Sequence, residues 1–224
     1  MIVWIASYPK CGNTWVRSFL SAYYYSSNGN FEFELLKHVK QFPTREFFGR
    51  KLNTLEEAAE NWLLPQKIIK DKKKMLFLKT HNVYGAYKGK NFTTPEYTLG
   101  AINIVRDPRN VLTSLMNHYS LDENGALNMI KSIYRNLRNE NENDDFSNYS
   151  FISSWSNNYK SWKMARNINK ILIKYEDLQD DTENTFIKII EFTNKLLKNN
   201  EIIDLKKLKK SVQTTNFNLL KKKE

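Results

Sequence analysis

The stretch SYPKCGNTWVRS, residues 7–18, decides the reading of this chain. An apolar run, IVWIA (2–6), leads into it and FLSAYYY (19–25) leads out. The pattern predicts a buried strand, a tight turn and a helix in direct succession. Gly12 lets the backbone approach a ligand closely, and the unpaired N–H groups that open the helix face whatever lies above the strand end. Lys10 adds a mobile positive charge on that side. Two chemistries use such a turn. One is an anion cradle built on Lys10 and the backbone of residues 12–14. The other is a phosphatase-like loop with Cys11 as nucleophile and Arg17, followed by Ser18, as clamp. The second holds bulky Trp15 and Val16 inside its loop, and no histidine precedes its cysteine. The plain alternatives are a lysine facing water and a small buried apolar cysteine.

Working outward, three further runs, 75–81 (MLFLKTH), 100–107 (GAINIVRD) and 170–177 (KILIKYED), are apolar on consecutive positions. That pattern fits strands covered on both faces, as in a parallel sheet between helices. Helical spacing marks residues 14–25, 55–63, 110–119, 122–137, 151–165 and 182–197. Strand and helix in alternation predict an α/β domain of three layers, with a central parallel sheet whose strand C-terminal ends share one edge. A ligand site is expected along that edge. Residues 83–98 and 139–150 read as irregular, the first as a long functional loop and the second as a polar surface loop.

The 224 residues show no composition shift that would divide them, so the whole of 1–224 is expected to be one domain. A formal charge of +11 favours anions, yet much of it sits in lysine runs at 70–74, 206–210 and 221–223 that read as solvated faces. No helix-turn-helix, RNA-binding aromatic signature or zinc spacing accompanies the charge, so nucleic acid is not the expected partner. The single cysteine suits a reducing compartment, and the first apolar run is too short for a signal peptide or a membrane span. The expectation is a cytoplasmic protein without stable membrane insertion.

Two more stretches carry candidate chemistry. In FLKTHN (77–82) His81 stands where a strand passes into a loop, placed to act as a general base, with Lys79 two residues back on the same face. In NIVRDPRNVLTS (103–114) Asp107 and Pro108 form a helix start, with Arg106 at the strand end and Ser114 on the helix. Both reach toward a second phosphate, for which arginine is suited. The plain reading is an arginine paired with Asp107 or a helix carboxylate.

Taken in order, ASYPKCGNTW, FLKTH, IVRDPRNVLTS and ILIKYEDL closely resemble the sulfotransferases that use 3′-phosphoadenosine 5′-phosphosulfate (PAPS), particularly bacterial ones. The resemblance extends through SSWSNNYKSW and the late TTNFNLL, and it implies a fold like that of P-loop nucleotide kinases, though the G-x-x-x-x-G-K-[ST] order is absent. It implies that Lys10, Gly12, Asn13 and Thr14 hold the 5′-phosphosulfate and that Trp15 and Tyr175 lie at the adenine. Arg106 and Ser114 fall on the 3′-phosphate contacts, and Thr215 and Phe217 on later positions lining the nucleotide. His81 matches the base and Lys79 a residue supporting the sulfuryl group. The implied reaction moves a sulfuryl group to a hydroxyl or amine of a small-molecule or glycan acceptor and leaves 3′-phosphoadenosine 5′-phosphate (PAP), with no metal.

Two departures accompany the resemblance. Cys11 stands among the donor-binding positions where the family usually has serine. The family normally continues past TTNFNLL into an Arg-Lys-Gly loop and a Gly-Asp-Trp segment over the 3′-phosphate, which is not found before Glu224. A non-catalytic or truncated PAP-binding domain therefore stands as the alternative, behind it a cysteine phosphatase. Acceptor selection is expected in 31–70, 83–98 and 121–148, with Phe47, Phe48, Tyr84 and Tyr87 as an apolar or sugar-stacking wall or as core.

Overall fold

The computed structural model describes residues 1–137, 145–198, 202–216 and 219–220. Phe217 and the lysine run 221–223 lie outside the described residues. The strands are β1 (Ile2–Ser7), β2 (Lys40–Gln41), β3 (Leu76–Thr80), β4 (Ala86–Tyr87), β5 (Lys90–Asn91), β6 (Thr98–Val105), β7 (Asn136–Leu137), β8 (Ser150–Phe151) and β9 (Lys170–Lys174). The helices are α1 (Asn13–Tyr25), α2 (Arg45–Phe48), α3 (Leu55–Asn61), α4 (Leu63–Asp71), α5 (Pro108–Tyr119), α6 (Glu123–Lys131), α7 (Trp155–Lys163), α8 (Tyr175–Asp180), α9 (Thr182–Leu197) and α10 (Leu205–Thr214).

Five strands form one sheet in the order β2-β3-β1-β6-β9, and every pairing in it is parallel. All six residues of the central strand β1 are buried. Their alternation supplies both faces. Val3 and Ile5 join a core with Phe19 of α1 and Phe186 and Ile189 of α9, while Ile2, Trp4 and Ala6 join a second with Trp62, Phe92 and Trp162. Each fully buried large apolar side chain contributes roughly 1.5–3 kcal/mol, so a strand buried on both sides anchors the domain. A third, smaller core lies under α5 and α6 around Val111, Leu115 and Met129.

The expected elements shift in three places. The helix expected at 122–137 ends at Lys131, because Asn136–Leu137 pairs antiparallel with Ser150–Phe151 as a two-stranded ribbon. The helix expected at 151–165 begins at Trp155, where the Ser154 hydroxyl accepts from the Asn157 N–H. The run 170–177 is strand only to Lys174, and Tyr175 opens α8. The loop 83–98 carries the small hairpin β4–β5 and packs inward through Phe92, whose carbonyl accepts from buried Gln66. Among the described residues no helix is long and apolar enough to cross a membrane.

Candidate active site

The C-terminal ends of β1, β3, β6 and β9 open into a cavity of about 1690 Å³. Its floor is the turn between β1 and α1. Both Lys10 (φ 66°) and Gly12 (φ 92°) are left-handed there, and Gly12 caps α1 with no side chain accepting from the first turn. The helix therefore presents its first amides without a side-chain acceptor. A side chain at position 12 is excluded twice, by the backbone and because its Cβ would fall 2.6 Å from Cδ2 of Tyr175. Asn13 fixes the turn to its own strand, its Nδ2 donating to the Ile5 carbonyl at 3.0 Å and to Ser7 Oγ at 3.1 Å.

The second wall comes from β6, α5 and α8. The Arg106 guanidinium lies 4.1 Å from the ring centroid of Tyr175 and donates to the Lys10 carbonyl at 3.1 Å. Its Nε is buried without a hydrogen-bond partner, an orphaned donor beside the uncapped helix start. The Asp107 carboxylate caps α5 and pairs with Arg109, while the Asp107 N–H donates to Glu176 at 3.0 Å and ties the two strand ends together. Along α5, Asn110, Ser114 and Asn117 turn one polar face to the cavity. Trp15 meets Tyr175 edge-on at 6.2 Å. Orphaned Nε, uncapped amides and paired aromatics together suit a phosphorylated nucleotide.

The third wall holds His81. Its Nδ1 lies 2.7 Å from the Ser7 carbonyl, which only accepts, so Nδ1 carries the proton and the lone pair of the neutral ring is left on Nε2. Burial pushes the His81 pKa down to about 3, and the charges of Lys79 and Lys10 push the same way. The ring is therefore neutral at physiological pH. Asn158 Nδ2 donates to the His81 carbonyl at 2.9 Å, and Trp162 Nε1 to that of Asn82 at 2.9 Å, so α7 clamps the end of β3. Lys79 Nζ donates to Gln41 Oε1 at 3.0 Å from the neighbouring edge strand.

A sulfotransferase domain model matches residues 2–224. The chain belongs to the sulfotransferase domain family. An amine sulfotransferase of Oryctolagus cuniculus is 22% identical over 210 residues, spanning 89% of this chain and 58% of that protein. The crystal structure of a mouse sulfotransferase complexed with PAP matches with a TM-score of 0.57 at 17% identity, over 98% of this chain and 65% of that one. That likeness shows the fold. The chain spans less than two-thirds of the length of these two relatives.

Within this sulfotransferase domain Lys10, Gly12, Asn13, Thr14, Trp15, Lys79, His81, Arg106, Ser114 and Tyr175 all line the one cavity. Cys11 does not. Its thiol is buried with Val111, Leu115 and Met129, and burial pushes its pKa up to about 12. Arg17 turns away from the cavity to the carbonyls of Val39 and Leu36. A buried thiol and an arginine turned to backbone carbonyls exclude the phosphatase arrangement. Thr215 is also apart from the cavity, fully buried with its hydroxyl donating to the Ser211 carbonyl at 2.7 Å. Phe47, Phe48, Tyr84 and Tyr87 pack against the second core. The reading of the sequence covered Gln41, Thr44, Arg135 and Asn148 only within its broad acceptor stretches 31–70 and 121–148 and singled out none of them; they line the cavity from short strands and loops without a periodic signal. Asn117 was within reach of it, on the same helical face as Ser114.

Proposed function

We propose that this chain is a PAPS-dependent sulfotransferase that moves a sulfuryl group to the hydroxyl or amine of a small acceptor, with His81 as general base. One observation carries the reading. The bond from His81 Nδ1 to the Ser7 carbonyl directs the basic nitrogen elsewhere, in a cavity shared with Lys10 and the uncapped start of α1. Bound PAPS supplies a sulfuryl group on a good leaving group, the phosphate of PAP.

The chain's own residues divide the rest of the work. The amides of 12–14 with Lys10 hold the 5′ end, Arg106 and Ser114 the 3′-phosphate, and Trp15 and Tyr175 the base. His81 Nε2 takes the acceptor's proton as the acceptor atom bonds to sulfur and the bond from sulfur to the bridging oxygen breaks. Lys10 stabilises the charge that builds on that oxygen, a contribution made chiefly in the transition state, and Lys79 supports the sulfuryl oxygens.

Calorimetric titration with PAP, with adenosine 5′-phosphate as control, tests the donor site. Micromolar binding that needs the 3′-phosphate is expected, weakened ~10-fold or more in Arg106→Ala. Equal weak binding of both nucleotides sinks the reading. Transfer of radiolabelled sulfur from PAPS is expected to vanish in His81→Ala while PAP still binds.

A further inference from the structure

We propose that the acceptor is a polyhydroxylated molecule of sugar size bearing a carboxylate, held by Arg135, rather than an amine or a flat apolar phenol; this rests on the sulfotransferase reading above. Gln41, Thr44, Asn148 and Ser150, amides and hydroxyls that both donate and accept, line the same cavity as His81; Gln41 accepts from Lys79, and Ser150 precedes Phe151, whose N–H donates to Asn82 Oδ1. Tyr119, Leu121 and Leu137 add only a partial apolar wall. The aromatic residues that an apolar slot would use, Phe47, Phe48, Tyr84 and Tyr87, are packed against the core and none lines the cavity. Among the described lining residues there is no aspartate or glutamate, whereas Lys10, Lys79, Arg106 and Arg135 are all cationic. A protonated amine entering there meets these cations and, among the described lining residues, no carboxylate.

Arg135 belongs to the acceptor end by its backbone connections. Its carbonyl accepts from the N–H groups of Ile152 at 3.1 Å and Ser153 at 2.9 Å. The Ile152 carbonyl in turn accepts from Asn158 Nδ2 at 3.0 Å, the same amide that holds the His81 carbonyl. Arg135 and the base are thus joined through two residues. The adjoining ribbon β7–β8 then carries Asn136, Leu137 and Ser150 into the wall. The Arg135 side chain is exposed and has no ion pair or hydrogen bond among the described residues. With Lys10, Arg106 and the start of α1 given to the donor's phosphates and Lys79 to the sulfuryl oxygens, Arg135 is the cation left for the acceptor among the described lining residues, and its fork matches a carboxylate.

The test titrates methyl glucoside, methyl glucuronide and methyl glucosaminide into the PAP-saturated chain. The three share one ring and differ in being neutral, anionic or cationic. The glucuronide is expected to bind ~10-fold or more tightly than the glucoside, with the glucosaminide weakest. Arg135→Ala is expected to bring the glucuronide down to the level of the glucoside, and Arg135→Lys to restore part of the gap. With radiolabelled PAPS the loss is expected in KM rather than kcat. Equal binding of the three, preference for the glucosaminide, binding of none, or an equal loss for all three in Arg135→Ala overturns the proposal while leaving the donor site standing. Failure of the wild-type chain to bind PAP overturns the sulfotransferase reading itself, and this proposal with it.

Discussion

The Arg106 guanidinium lies 4.1 Å from the ring centroid of Tyr175, and the same ring comes within 2.6 Å of where a side chain on Gly12 would begin. Three motifs distant in sequence therefore meet at one aromatic ring. A cation over a tyrosine face contributes about 0.5–2 kcal/mol, and the contact also sets where the guanidinium lies beside the uncapped helix start.

Gly12→Ala is expected to displace that ring and with it Arg106. The left-handed backbone alone costs an alanine about 1–2 kcal/mol. In a domain of this size each kcal/mol lowers Tm by roughly 2–4 °C. Thermal melting should show a fall of several degrees, and titration should show PAP affinity reduced ~10-fold or more. An alanine variant that binds PAP like the wild type would remove the argument that ring, arginine and turn form one unit.

Cys11 provides a separate test. With its pKa pushed up to about 12, thiolate at pH 8 amounts to roughly one molecule in ten thousand. An aromatic disulfide reagent is expected to label the folded chain far more slowly than the chain in guanidinium chloride. Cys11→Ala should retain sulfuryl transfer, since its side chain packs under α5 and reaches no part of the cavity. Rapid labelling of the native chain, or loss of transfer in Cys11→Ala, would refute this placement.

The sheet was legible because burial on both faces leaves consecutive apolar residues, as in Ile2–Ser7. The strand, glycine turn and helix start of the proposed donor cradle were legible because they leave their marks in twelve adjacent positions, 7–18. The burial of Cys11 was legible only as the plain alternative, beside its placement among the donor-binding positions. It depends on Lys10 adopting a left-handed conformation that residue type does not announce. The edge strand Lys40–Gln41 is too short for any period, and it brings Gln41 to Lys79. Arg135 lay inside a stretch whose spacing reads as helix, and only the pairing of Asn136–Leu137 with Ser150–Phe151 turns that segment toward His81.

His81 gives a prediction with two signs to check. Burial lowers its pKa first, then Lys79 and Lys10, against the opposing bond to the Ser7 carbonyl. Negative charge from PAP beside the lysines offsets their effect, so the His81 pKa is expected to rise on PAP binding, read from its imidazole resonances by NMR. A value that stays fixed or falls would show that the nucleotide phosphates lie far from this ring. Stability follows the same residue. The folded pKa, about 3, is below the ordinary 6.5, so below pH 6.5 the unfolded chain binds more protons. Stability is fully present above that pH and is lost as pH falls toward 3. His81→Asn should remove part of this slope in denaturant midpoints measured from pH 7 to 5.

Asn158 holds the backbone of His81, the proposed base. Its Nδ2 donates to the carbonyls of His81 and Ile152, while the neighbouring Trp162 holds Asn82 through its carbonyl and Asn82 Oδ1 accepts from the Phe151 N–H. Asn158→Ala leaves two carbonyls without that donor, at a cost of about 1–3 kcal/mol for an unsatisfied buried group. Stability alone would not separate a positioning role from a purely structural one, so the decisive reading is kinetic. If Asn158 holds His81 in register with the acceptor, kcat should fall ~10-fold or more while PAP affinity is unchanged, because the donor cradle on β1 and α1 does not depend on this amide. Asn158→Asp sharpens the comparison, since a carboxylate of the same shape has no proton to give and should lose kcat as the alanine does. Asn158→Gln, which can still donate, is expected to recover part of it. A variant that melts earlier yet turns over at the wild-type rate would assign Asn158 to the scaffold and leave the orientation of His81 to the Ser7 carbonyl alone.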